Sequence, residues 1–198
     1  MALRKLDTLH GRRQYVITRR ARLITVAAVL GATVAAVATG SAATARGEQS
    51  EFREQLTGYQ ETPLAISTSG NGQVRLHIEH RRDEISYRVF YNRLEGDVTQ
   101  AHIHFGAPAQ TGGISAFLCT NLGNGPEGTQ ECPAAPATIS GTIRPDDVVG
   151  AAAEQGIAAG EFDELVDAIR AGATYVNVHS TLHPVGEIRA QLESGHHH

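Results

Sequence analysis

The chain has 198 residues, 17 of them basic and 21 acidic. Seven of the basic residues precede position 46, so the remainder carries ten basic residues, all arginine, against twenty acidic ones, a net charge near −10. That balance argues against a nucleic-acid partner, whose phosphate backbone demands a positive surface, and against tight binding to an anionic membrane.

The first forty-five residues read as an export signal. Arg4, Lys5, Arg12, Arg13, Arg19, Arg20 and Arg22 make a basic start, and no charged side chain occurs from Leu23 to Ala38. Ala43-Thr44-Ala45 then fits the small-x-small cleavage pattern, with Ala43 as a second candidate site. The apolar run is shorter than the roughly 20 residues of a membrane span, so no membrane insertion is expected after cleavage. A retained anchor is the alternative. Arg12-Arg13-Gln14-Tyr15-Val16 resembles a twin-arginine signal, which leaves open whether the route is the general or the twin-arginine one. At the other end, residues 194–198 close on three histidines and read as a tag remnant, excluded from any metal argument. The expected product is an extracellular, periplasmic or cell-surface protein of about 150 residues, enough for one domain with a modest core. Cys119 and Cys132 both fall in it, so a disulfide is the default. It would close a 14-residue loop, worth about 3 kcal/mol on a chain-entropy argument.

Phe52 to Leu56 suits a short first strand, and Gly58 to Gly72 a loop with Pro63, Gly70 and Asn71-Gly72 as turn residues. Val74, Leu76 and Ile78 alternate with Arg75, His77 and Glu79, as a half-buried strand requires. Ile85, Tyr87, Val89 and Tyr91 do the same, and the charged stretch between makes a hairpin. From Val98 to Phe105, Ala101, Ile103 and Phe105 share one face, and His102 and His104 share the other. Ile114 to Cys119 and Thr138 to Ile143 are further strands, separated by a Gly/Pro loop that the cysteines pin. After Pro145 the period changes. Phe162, Leu165, Val166 and Ile169 recur at helical spacing behind acidic first turns, and Gly172 stops that helix. Thr174 to His179 and Glu187 to Leu192 return to strand. Seven or eight short strands with one late helix predict an all-β protein, an antiparallel immunoglobulin-like or related Greek-key β-sandwich.

Leu56, Gly58, Glu61, Thr62 and Pro63, then Ala101-His102-Ile103-His104-Phe105-Gly106, and above all Tyr175-Val176-Asn177-Val178-His179 followed by His183-Pro184 and Gly186-Glu187-Ile188-Arg189, carry a family resemblance. The stretch from 52 to 193 resembles the CHRD domain, named after chordin, in the single-domain form of secreted bacterial proteins. The resemblance implies a β-sandwich and an extracellular setting, and no particular activity. The family's closing motif often has glycine after the arginine; here Ala190 stands there, which implies a slightly less tight strand.

The histidines carry what chemistry the sequence offers. His102 and His104, two apart on a strand, point to the same side, and alternation puts His179 on the polar face of another. His183, just past that strand, and His77, on a third, are further candidates. Asn177, Tyr175 and Glu187 could hold hydrogen bonds to ligating imidazoles. Three or four imidazoles suit Cu or Zn. The same side chains could instead form a polar network at a sheet edge, or a metal-free binding surface. Alternation places all of them on the solvent side, where Arg189 with Glu187 reads as a surface ion network. No nucleophile–base constellation stands out, and the loop glycines lack the strand–loop–helix setting of a phosphate cradle. The expected function is therefore an extracellular binding or adhesion-type module, not an enzyme, whose partner is an unidentified protein or surface component. A histidine-ligated copper or zinc protein is the alternative.

Overall fold

Two-residue alternation dominates the computed structural model, which describes residues 50–193. Its strands are β1 (Glu51–Thr57), β2 (Asn71–Glu79), β3 (Glu84–Asn92), β4 (Val98–Phe105), β5 (Ile114–Thr120), β6 (Ala137–Ile143), β7 (Thr174–Ser180) and β8 (Ile188–Gln191), and α1 (Phe162–Arg170) is its α-helix. The leader and tag readings fall on residues outside this range. Among the described residues no helix is long and apolar enough to cross a membrane.

All strand pairings are antiparallel, as expected of an all-β fold. The strands make one sheet in the order β5-β4-β7-β8-β1-β2-β3-β6, not two separate ones. It curls into a nearly closed barrel whose edges meet. Tyr87 Oη on β3 donates to Leu118 O on β5, and Gln130 donates to both Tyr87 Oη and Ser140 O on β6. Curling lets the inward residues of distant strands share one core: Phe52 and Leu56, Val74 to Ile78, Ile85 to Tyr91, Ala101 and Ile103, Val176 and Val178, and Ile188 to Leu192 at alternate positions. The helical stripe of α1, Phe162, Leu165, Val166 and Ile169, joins the same cluster.

One strand boundary differs from expectation by more than one residue. β2 begins at Asn71, not Val74, because Asn71 and Gly72 pair with Thr57 and Leu56 on one side and with Asn92 and Tyr91 on the other. The loop after β1 opens on a 3₁₀ turn at Gly58–Gln60, the β2–β3 hairpin turns through His80–Arg82, and further 3₁₀ turns form at Pro145–Asp147, where the chain changes period, and at Gly150–Gln155. The disulfide joins Cys119 to Cys132 with Cα atoms 5.1 Å apart. Asn121 completes the staple, since its amide donates to Cys132 O and its carbonyl accepts from Cys132 N–H.

Candidate functional site

The outer face of β4, β7 and β8 holds the candidate residues. Register sets them in cross-strand rows: His104 beside Tyr175 beside Gln191, and His102 beside Asn177 beside Arg189. His179, opposite Gln100, lies diagonal to His102. Alternation therefore places the imidazoles as the sequence reading has it. The same reading put them in water, and here the structure overturns it: His102 is fully buried, and His104, His179, Asn177 and Arg189 are buried as well. Three covering segments cause this. The turn after β7 lays Pro184 over His179, the loop 106–113 lays Gly112 over His104, and the stretch around Glu61 and Thr62 closes over Asn177 and Arg189. On the β5 side, Phe117 meets His102 edge-on at 4.5 Å.

Two of the three covers demand a glycine. A Cβ on Gly112 would overlap the Phe105 carbonyl, and a Cβ on Gly186, whose φ is +135°, would sit 2.7 Å from Glu61 Oε2 and within contact of Asn177.

His102, His104 and His179 each offer a ring nitrogen, all within 4.8 Å of one another. Backbone carbonyls set two of the tautomers. His104 Nδ1 donates to Gly112 O at 3.0 Å and His179 Nδ1 to Pro184 O at 3.2 Å. A carbonyl only accepts, so each Nδ1 carries the hydrogen and each Nε2 a lone pair. The His179 Nε2 lone pair faces His102 Nδ1 at 3.2 Å. His102 Nε2 and His104 Nε2 are buried with no hydrogen-bond partner. Burial, with the neighbouring His179 and His104, holds the His102 pKa down to about 2. Burial lowers His104 and His179 to about 4, against the upward pull of the carbonyls on their Nδ1 atoms. All three are neutral, with lone pairs available, at any pH above about 5.

Next to this triad lies a second buried polar group. The Tyr175 ring stacks on His104 at 4.8 Å with the planes 1° apart, and the Arg189 guanidinium lies 3.5 Å from the centre of the Tyr175 ring. Arg189 also donates to Thr62 Oγ1, Gln110 O and Gln191 Oε1. Asn177 Nδ2 donates to both oxygens of Glu61 at 2.8 and 3.0 Å. Burial raises the Glu61 pKa to about 7, although Asn177 and Arg189 pull it down, and nearby Glu187 adds to the rise.

The structure does not bring all the sequence candidates together. His77 stands on β2 with its Nε2 3.6 Å from Glu79, and His183 stands 3.6 Å from Glu95. Glu187 is fully buried but accepts from Thr68 Oγ1 and Glu95 N–H, not from an imidazole. Asn177 and Tyr175 do border the triad, Asn177 beside His102 in the cross-strand register and Tyr175 by stacking on His104. Arg189 is not in a surface ion network with Glu187: it is 2% exposed and its partners are Thr62, Gln110, Gln191 and Tyr175. Glu61 was missed as a site residue. A carboxylate in a turn-rich loop reads as solvated, and nothing local marks it as folded over a strand 116 residues away.

A curled antiparallel sheet, one disulfide, and a buried polar row beneath three loops define a disulfide-closed all-β module. The model of the CHRD domain matches residues 52–192, and the chain belongs to that family. No curated protein and no solved structure matches it.

Proposed function

We propose that this CHRD-domain protein is an exported binding module and that His102, His104 and His179 bind one Cu or Zn ion. The observation that carries the reading is the convergence of three neutral, buried imidazoles, two of which keep an unpartnered Nε2. A buried polar atom without a partner costs about 1–3 kcal/mol, and an ion held by His102 Nδ1, His104 Nε2 and His179 Nε2 would remove that cost at His104. Metal–nitrogen bonds of 2.0–2.1 Å at a tetrahedral angle set two donor nitrogens about 3.3 Å apart, and His102 Nδ1 and His179 Nε2 stand 3.2 Å apart. The carbonyls of Gly112 and Pro184 on the far ring nitrogens are the supports that orient ligating imidazoles. The donors are all nitrogen, because the disulfide removes both thiols, and an imidazole set suits copper and zinc. Binding is preferred to catalysis because, among the described residues, no nucleophile–base pair adjoins the triad. The disulfide and the basic, apolar leader motivate export into an oxidising compartment.

The test uses protein from which His196 to His198 have been removed, since those residues bind metals themselves. After incubation with Cu or Zn and exhaustive dialysis, elemental analysis is expected to find one ion per chain, and none in His102→Phe. At a free metal concentration of 100 Kd the ion should stabilise the fold by about 2.7 kcal/mol. Retention of no ion, or equal retention by His102→Phe, would overturn the reading.

A further inference from the structure

On the opposite part of the sheet the register brings arginines together. Arg53 on β1 pairs directly with Arg75 on β2, and Arg75 with Arg88 on β3. Strands lie about 4.8 Å apart, so three guanidinium stems rise side by side from the outer face, all exposed. Arg53 meets Glu51 at 3.2 Å. No carboxylate among the described residues pairs with Arg75 or Arg88, although residues 46–198 contain twice as many acids as bases. Like charges directly across strands destabilise a sheet, so the fold carries this row at a cost.

The row divides two grooves. One, of about 320 Å³, is lined by Gln73, Arg75, Arg88, Phe90 and Thr138. The other, of about 220 Å³, lies between Arg53, Arg75, Arg88, His77 and Ser86, with the Glu51 carboxylate that pairs with Arg53 at its edge. Phe90 is 39% exposed although its neighbours in the strand, Val89 and Tyr91, are fully buried.

From this juxtaposition we infer that the outer face of β1–β2–β3 binds an acidic polysaccharide, its oxyanions on the arginine row. Arginine's planar fork matches an oxyanion bidentately. Gln73, Ser86 and Thr138 offer the amide and hydroxyl groups that sugar hydroxyls pair with, and Phe90 offers an apolar shelf. Charge density separates this ligand from the other polyanions. Duplex nucleic acid carries one negative charge per roughly 1.7 Å of axis and needs a broad positive surface. An anionic bilayer is equally extended. A polysaccharide chain with at most one or two charges per sugar can lie along a single row, where the acids elsewhere are screened beyond a Debye length of about 8 Å. Carboxylates of uronic acids and sulfate esters share this chemistry, and the test distinguishes them.

The experiment measures retention of the purified protein by a polyuronate, by dextran sulfate and by neutral dextran at an ionic strength of about 0.15 M, where that screening holds, with duplex DNA and phosphatidylglycerol vesicles as competing classes. Binding to the polyuronate, to dextran sulfate or to both is expected, and the preference names the oxyanion. Neutral dextran should not bind. Arg75→Gln and Arg88→Gln should each weaken binding about tenfold, the loss of one charged hydrogen bond. Arg82→Gln should leave it unchanged, because that exposed arginine stands in the turn between β2 and β3, off the row. Both arginine variants are expected to melt no lower than the parent, as removal of a like-charge contact requires. No binding to either acidic polymer, undiminished binding by the arginine variants, a lowered melting point in them, or equal retention by DNA or vesicles would overturn the inference.

Discussion

The outer faces of β1–β2–β3 and of β4–β7–β8 obey the same alternation and share one sheet, yet one is wet and the other dry. On the first, Arg53, Arg75 and Arg88 stand in water. On the second, His102, Asn177 and Arg189 occupy an equivalent row and are buried. Strand chemistry does not make the difference, since both rows are polar. Loops do. The hairpin between β2 and β3 turns away within a few residues, whereas the connections around 61, 112 and 184 fold back over β4, β7 and β8 and offer oxygens to the side chains beneath, the backbone carbonyls of Gln110, Gly112 and Pro184 and the side chains of Glu61 and Thr62. A polar residue under such a cover must find a partner inside the protein, so the dry row becomes a connected network while the wet row stays a set of separate charges.

Replacing an arginine in each row should therefore give opposite results. Arg189→Met removes a guanidinium that satisfies Thr62, Gln110 and Gln191 and faces Glu61. Breaking a buried charged network by deleting one partner costs about 3–5 kcal/mol, to be read from the urea midpoint. A loss below about 1 kcal/mol would mean that the network is not closed.

Acid should separate the faces next. In metal-free protein the triad histidines have pKa values of about 2, 4 and 4 when folded, against about 6.5 in the unfolded chain. Their contribution is fully present above pH 6.5. As the pH falls below that value the unfolded chain takes up protons the folded one refuses, and stability drops until the folded values are reached. Glu61 has the opposite sign. Its folded pKa of about 7 lies above the unfolded 4.5, so its contribution is present below pH 4.5 and lost as the pH rises through 7. Near pH 5.5 the three imidazoles outweigh the one carboxyl by about two protons, and stability should fall by about 2.5 kcal/mol per pH unit of acidification. Glu61→Gln should steepen the slope by about 1 kcal/mol per unit. Urea midpoints between pH 5 and 6.5 test both, and a flat profile would show that the imidazoles are hydrated in solution.

On the wet face, Arg75→Gln should raise stability by a few tenths of a kcal/mol at most, the size of a relieved cross-strand repulsion. A loss above about 1 kcal/mol in the same denaturation series would place Arg75 in a contact network of its own.

Much of the site is legible in the sequence. The Ala101 to Phe105 alternation put His102 and His104 on one side of a strand, and the Thr174 to His179 alternation put His179 on the polar side of another. Nothing in either segment stated that β4 and β7, some seventy residues apart in the chain, are neighbours. His77 and His183 show the limit of parity. Both satisfy it or nearly so, but His77 stands on a strand remote from β4 in the sheet order, and His183 falls in the turn, facing Glu95. Glu61 and the carbonyls of Gly112 and Pro184 were invisible for a related reason: a loop's sequence reports its flexibility and polarity, not the surface on which it lands.

By itself the sequence determined the strand periods, the late amphipathic helix, the single pair of cysteines and the side of each strand on which a residue stands, because these follow from local geometry and composition. Only the tertiary structure decided that the eight strands form one curled sheet, which histidines meet, and that a polar face lies dry beneath three loops. Those outcomes depend on contacts between residues far apart in the chain, whose free energy is gained only when the whole sheet closes.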